Sequence, residues 1–199
     1  MTKRIKHLVF DLGGVIILKG SFDFNNFDEK YSLPPGKTRE VMSSCFKILS
    51  LDETVNLKKH IEENFAPLFN FKQFKEVVEK LAEKEKVNKK LLSWLKEKRE
   101  DYPVSLLTNN TSKLEDVLKE KFKIYNEFDH IFNSANIGFR KPDPRIFEYV
   151  LETLETKAEE CLFVDDNVLN VEQAENMGFY AVLFQDNESF FKEIKGLNL

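Results

Sequence analysis

Four side chains able to do chemistry stand at the ends of apolar runs or just after them, and a fifth lies further downstream. Asp11 follows Leu8-Val9-Phe10, Thr108 closes Val104 to Leu107 and opens Asn109-Asn110, and Asp165 and Asp166 follow Leu162-Phe163-Val164. Lys141 sits in Arg140-Lys141-Pro142-Asp143-Pro144, downstream of a third such run. If the runs are parallel strands, these residues share one sheet edge, where open α/β sheets bind their ligands. Asp11, Asp165 and Asp166 would then repel one another unless a cation joins them. A hard dication with oxygen ligands answers that need, and Mg²⁺ typically takes one or two carboxylates together with waters and substrate phosphate. Lys141 adds positive charge, and the proline after it favours an extended backbone that helps aim the side chain. The Thr108 hydroxyl and the backbone amides beside it offer donors to a phosphoryl oxygen. Asp11 reads as a carboxylate nucleophile beside a metal, a known route for phosphoryl transfer through an aspartyl-phosphate.

The elements that would position these residues follow from periodicity. Short apolar runs at 5–10, 104–108, 130–133, 161–164 and 180–184 predict buried parallel strands. Helical patterns lie between the last four. One spans 112–122, with Ser112 as its expected cap. The next opens at Asp143-Pro144, with the aspartate as cap and proline at the first helical position. It carries Ile146, Phe147, Val150, Leu151 and Leu154 on one face. A third runs over 168–177 and stops at Gly178. Alternation of this kind predicts an α/β fold with a doubly wound parallel sheet. Between the first two strands the pattern changes. No strand is expected over 19–89, where helices are predicted at 37–50, 54–66, 73–86 and 89–99. A crossover needs a single helix. The surplus over 19–88 is therefore expected to form a small helical cap over the edge that carries Asp11. The core would comprise 1–18 and 89–199.

Phe-Asp-Leu-Gly-Gly-Val, Leu-Leu-Thr-Asn-Asn, Arg-Lys-Pro-Asp-Pro and Phe-Val-Asp-Asp-Asn occur in that order. Each motif alone is weak, but together at matching strand ends they are specific. The chain resembles the haloacid dehalogenase superfamily, in its phosphatase-like branch with a small helical cap. The resemblance implies an α/β hydrolase whose nucleophile and metal ligand is Asp11, with the carbonyl of Gly13 as a second, backbone ligand. It implies Thr108 and the amide of Asn109 as the phosphate-binding pair and Lys141 as the lysine that stabilises the phosphate. Asp166 matches a direct ligand of Mg²⁺, Asp165 an outer or water-bridged one, and Asn170 either a supporting hydrogen-bond partner or a helix cap. Gly13 departs from the pattern, because most phosphatases of this family carry an acid–base aspartate there. Losing a positioned proton donor costs about 10²–10⁴-fold. A similar Asp-x-Gly start occurs in sugar-1-phosphate phosphatases, whose anomeric oxygen leaves readily. Asp23 and Asp28 are candidates to replace the acid by their nearness in sequence.

The expected reaction is therefore Mg²⁺-dependent hydrolysis of a small phosphorylated metabolite, a sugar phosphate among the candidates. One alternative is a catalytically weak protein that binds a phosphorylated ligand or a partner. Another is a metal-free dehalogenase, against which Asp165-Asp166 speaks. A net charge of −4 with interspersed signs gives no footprint for nucleic acid. No apolar run is long enough to span a membrane, and Asp11 interrupts the stretch after Lys3, Arg4 and Lys6 that would otherwise suggest a signal peptide. Cys45 and Cys161 fit two free, buried thiols in a reducing, cytoplasmic setting. The expected state is a monomer or homodimer. His7, His60 and His130 are expected to be surface or packing residues, and Trp94 a core residue. Phe22, Phe24 and Phe27 are expected to pack rather than to line a substrate pocket.

Overall fold

A computed structural model describes residues 5–20, 22–49, 54–197 and 199. Residue 50, the predicted end of one helix, and Lys3 and Arg4 of the basic leader lie outside them. The chain divides into two units, Met1–Leu18 with Val87–Leu199, and Lys19–Lys86.

The first unit is built on a parallel sheet. In chain order its elements begin with β1 (His7–Phe10) and the short β2 (Ile17–Leu18). The second unit then contributes α1 (Phe24–Lys30), α2 (Lys37–Leu49), α3 (Leu57–Phe65) and α4 (Phe71–Lys84). There follow β3 (Lys86–Val87), α5 (Lys89–Lys98), β4 (Val104–Thr108), α6 (Leu114–Asp116), β5 (His130–Asn133) and α7 (Ser134–Ile137). The chain closes with α8 (Pro144–Thr153), β6 (Cys161–Asp165), α9 (Val168–Asn176), β7 (Tyr180–Leu183) and α10 (Asn187–Ile194). The five-stranded sheet has the order β5-β4-β1-β6-β7, with every pairing parallel. The chain builds outward on one side of β1 and then returns to build on the other. The resulting switch point lies between β1 and β6.

Strand alternation accounts for the two hydrophobic layers. Leu8, Phe10, Leu106, Leu162 and Val164 face one cluster. Val9, Leu107, Phe163 and Phe132 face another, which α8 completes with Ile146, Phe147 and Val150. Residues i and i+1 of a strand point to opposite faces, so a strand buried on both reads as an unbroken apolar run. Trp94 packs edge-on against Phe190 and Phe191 beside the first cluster. The second unit has its own core, in which Phe22 and Phe24 pack at 4.7 Å between ring centroids and Phe27 is buried.

Several caps match the expected ones. Asp143 accepts from the Arg145 amide at 3.0 Å with Pro144 opening α8. Gly178 follows α9 with φ +95°, a left-handed value that costs glycine little. The segment after β4 differs from its prediction. The helix begins at Leu114, its cap position is Lys113 with no side-chain capping bond, and Val117–Phe122 continues in π-type turns. Ser112 is thus not the cap, because the chain turns into the helix one residue later. The Asn-rich stretch after Asp23 forms α1, which the sequence pattern did not suggest; the Asp23 carboxylate accepts from the Asn26 amide at 3.0 Å. β3 pairs with β2 in a two-stranded ribbon, a strand within the region expected to hold none. Two residues are too few for a periodicity to register. Both cysteines are free, and burial pushes the Cys45 thiol up to about 11 and the Cys161 thiol up to about 12. Among the described residues no helix is long and apolar enough to cross a membrane.

Candidate active site

Parallel register brings the strand ends together. Phe10 of β1 lies opposite Val164 of β6, so Asp11 and Asp165 each extend one residue past the same level. The Asp11 amide donates to the Val164 carbonyl at 2.8 Å, continuing the ladder up to Asp11. On the other side of β1, β4 ends at Thr108, which is buried and paired in register with Asn133 of β5.

Lys141 joins these ends. It is 2% exposed, and its ammonium donates to Asp11 Oδ1 at 2.8 Å, to Asp165 Oδ2 at 2.6 Å and to the Leu107 carbonyl at 2.6 Å. An ammonium has three N–H donors, so all are engaged. Burial pulls the lysine toward its neutral form, but the charges and hydrogen bonds of Asp11 and Asp165 outweigh it and hold its pKa above the ordinary lysine value.

Asp165 is fully buried. Its carboxylate accepts from Lys141, from the Asn167 amide at 2.8 Å, and from the Asn170 side chain at 3.1 and 3.0 Å. Asn167, not Asn170, caps α9, accepting from the Leu169 amide at 3.0 Å. Asn170 is therefore a buried support for Asp165. Asp166 is exposed, and Asp11, Asp165 and Asp166 present ligand oxygens within 4.8 Å of one another. Each like-charged pair at that distance costs about 3–4 kcal/mol at an effective dielectric near 20. Three carboxylates against one lysine leave a local excess of negative charge, the setting that an oxygen-coordinated dication fits.

The turn after Asp11 is tight. The Gly14 amide donates to the Ile17 carbonyl and the Ile17 amide to that of Leu12, both at 2.7 Å, and Gly13 forms an isolated bridge with Ile17. Gly14 has φ +96°, and a Cβ there would fall 2.0 Å from Asp166 Oδ2. Glycine is needed at 14 for both conformation and space. Asn88, the cap of α5, steadies the same turn by donating to the Val15 carbonyl at 3.1 Å.

Sequence reasoning missed the role of one side chain. Asn109 Nδ2 donates to the Lys141 carbonyl, and the Lys141 amide donates to Asn109 Oδ1, both at 2.9 Å. This two-way clamp fixes the backbone of Lys141 beside β4. The loop is further held by Asn133, which donates to the Thr111 carbonyl at 2.7 Å, and by Ser134, which accepts from the Asn110 amide at 3.2 Å. An asparagine directly after a strand-end threonine was the available signal; its partner 32 residues away leaves no local trace.

Asp23 and Asp28, read as possible substitutes for an acid at 13, are committed elsewhere. Asp23 caps α1. Asp28 is buried and accepts from the Gly36 amide at 2.7 Å, the Thr38 amide at 2.9 Å and the Thr38 hydroxyl.

Known proteins resemble the chain at several levels. A family model described as haloacid dehalogenase-like hydrolase matches residues 5–178. An HAD-like family hydrolase from Porphyromonas gingivalis superposes with a TM-score of 0.75 at 22% identity, over 96% of both chains. An HAD family enzyme from Bacteroides thetaiotaomicron, solved in complex with magnesium and inorganic phosphate, gives 0.67 at 23% identity, over 94% of this chain and 99% of that one. A sesquiterpene phosphatase from Aspergillus oryzae is 34% identical over 109 residues, 54% of this chain and 56% of that protein. Three other curated relatives are much longer, and the chain spans 16%, 18% and 38% of their lengths.

Proposed function

Because the chain belongs to the haloacid dehalogenase-like hydrolase family, we propose that it is a Mg²⁺-dependent phosphatase acting on a small phosphorylated metabolite, sugar phosphates among the candidates. The observation that carries this reading is Lys141, buried between Asp11 and Asp165 at 2.8 and 2.6 Å, with Asp166 completing an acidic group. The phosphatase and the magnesium–phosphate complex among the similar proteins support it.

Asp11 attacks phosphorus and becomes an aspartyl-phosphate, which water then hydrolyses. The Thr108 hydroxyl and the Asn109 amide bind the phosphoryl oxygens, and Lys141 offsets their charge. Asp11, Asp166 and the carbonyl of Gly13 hold Mg²⁺, which supplies positive charge to the phosphoryl group when bound. Asp165 acts from outside that set, since its oxygens already serve Lys141, Asn167 and Asn170. The 19–88 segment is the cap that selects the substrate. Two free, buried cysteines suit a cytoplasmic enzyme.

Purified protein should hydrolyse p-nitrophenyl phosphate with Mg²⁺, lose activity with chelator, and lose it in Asp11→Asn. Inactivity toward that ester and a panel of phosphorylated metabolites would remove the proposal. Gly13 favours a second reading, a phospho-ligand binder with weak turnover. Thermal stabilisation by phosphate without hydrolysis would support that instead.

A further inference from the structure

We propose that Arg140 recognises a second anionic group, a carboxylate or a phosphate, on the substrate whose phosphoryl group meets Lys141. Phosphate esters that carry such a group are then the preferred substrates, a class that rests on the phosphatase activity proposed above.

Arg140 stands directly before Lys141, in the loop that runs from α7 to α8. The Lys141 ammonium lies between Asp11 and Asp165, so this loop reaches the carboxyl edge of the sheet. The backbone around Arg140 is fixed. Gly138 closes α7 with φ +84°, and the Arg140 carbonyl accepts from the Asp143 amide at 2.8 Å. Asn109 holds both the amide and the carbonyl of Lys141. The Arg140 side chain on that fixed backbone is half-buried, yet its guanidinium makes no hydrogen bond, ion pair or ring contact among the described residues. The other described arginines each have a partner. Arg99 forks onto Asp129, Arg145 forks onto Asp143, and Arg39 lies over the Phe24 ring at 4.7 Å. Burial pulls the Arg140 pKa below the ordinary arginine value, and no carboxylate among the described residues counters it. A guanidinium cannot shed its charge inside a protein, so drawing it out of water without a counter-charge is costly. An incoming oxyanion relieves that cost, and the planar fork matches a carboxylate or a phosphate through two parallel hydrogen bonds. The transferred phosphoryl group is not that anion, since Thr108, the Asn109 amide and Lys141 serve it. The proline after Lys141 favours an extended backbone, along which consecutive side chains diverge. Arg140 and Lys141 therefore take separate anions. Adjacent Cα atoms are about 3.8 Å apart, so both anions fit on one small molecule.

The test uses the full chain with Mg²⁺ and matched substrates. Phenyl phosphate is compared with its 3- and 4-carboxylated forms and with the corresponding carboxamides, which match their size without the charge. Glycerol phosphate and phosphoglycerate form a second pair. The carboxylated members should have the higher kcat/KM, through a lower KM. In Arg140→Gln that preference should shrink by about 10–100-fold, the size of a lost hydrogen bond between charged groups. Arg140→Lys keeps the charge but not the fork, and should restore part of the preference. Three results would overturn the inference and leave the phosphatase intact: a wild type indifferent to the carboxylate, a preference that Arg140→Gln leaves untouched, or an equal fall toward charged and neutral members. Failure to hydrolyse any ester would instead overturn the phosphatase reading. Binding is read separately by calorimetry, with 3-phosphonopropionate against methylphosphonate. The wild type should bind the former tighter and Arg140→Gln should lose the difference. Equal affinities in the wild type would sink the anion site even where nothing is hydrolysed.

Discussion

Replacing Lys141 by Met probes the central ion cluster directly. The methionine fills similar volume but leaves Asp11 and Asp165 without a cation that stands 2.8 and 2.6 Å away in the native protein. It also strands the Leu107 carbonyl. Breaking a buried pair from one side costs about 3–5 kcal/mol. The like-charge repulsion of about 3–4 kcal/mol at 4.8 Å has the same size. For a protein of this length, 1 kcal/mol corresponds to about 2–4 °C, so Tm should fall by roughly 6–20 °C. Because Asp11 and Asp165 raise the lysine pKa on folding, its contribution is fully present below the unfolded value of about 10.4. It is lost only as pH climbs through the still higher folded value. The stability gap between wild type and Lys141→Met, measured by urea unfolding, should therefore stay constant from about pH 6 to 9. A gap below about 1 kcal/mol, or one that closes between those pH values, would refute this account of the cluster.

Asn109→Ala removes both hydrogen bonds to the Lys141 backbone. It should cost about 1–3 kcal/mol in stability and lower kcat with aryl phosphate by tenfold or more, read by steady-state kinetics. Gly14→Ala places a Cβ 2.0 Å from Asp166 Oδ2 on a left-handed backbone. Its Mg²⁺ affinity, measured by calorimetry, should fall by roughly 10–100-fold, as when ligand-supporting groups are lost. Asp28→Ala deletes the acceptor for Gly36 and Thr38 at the start of α2. It should lower stability by about 2–4 kcal/mol, and hydrogen exchange should show the α2 amides deprotected.

The sheet was legible because its strands are buried on both faces. Leu8-Val9-Phe10 divides between two clusters, so no polar residue interrupts the run. The α8 boundary was legible because Asp143 and Pro144 act through local geometry that any chain shares. α1 was not, since two asparagines weaken its propensity and its stability comes from Phe27 packing in the second core. The π-type turns of Val117–Phe122 likewise answer to packing, with Leu118 fully buried, while the sequence continues to look like an ordinary helix. The ribbon of β2 and β3 rests on pairing between segments far apart in the chain, which local periodicity does not encode.

The site divides along the same line. Asp11, Thr108 and Asp165 could be placed together before any coordinates, because chain direction alone sends the ends of parallel strands to one edge. What holds each one was hidden. Asp165 reads as one more acid, yet its four hydrogen bonds from Lys141, Asn167 and Asn170 make it the anchor that fixes the lysine. Asn109 reads as a backbone amide beside a threonine, yet its side chain clamps a segment 32 residues away. Gly13 and Gly14 are adjacent in the turn, but of the two only Gly14 has a positive φ, and a Cβ there would meet Asp166. The two glycines therefore answer to different constraints. Position 14 is held by sterics and by a left-handed backbone, whereas the backbone at 13 is not left-handed. Backbone conformation thus does not demand glycine at 13 as it does at 14, and the response of turnover to Gly13→Asp, read beside the stability of the variant, separates a chemical role of that position from a folding one.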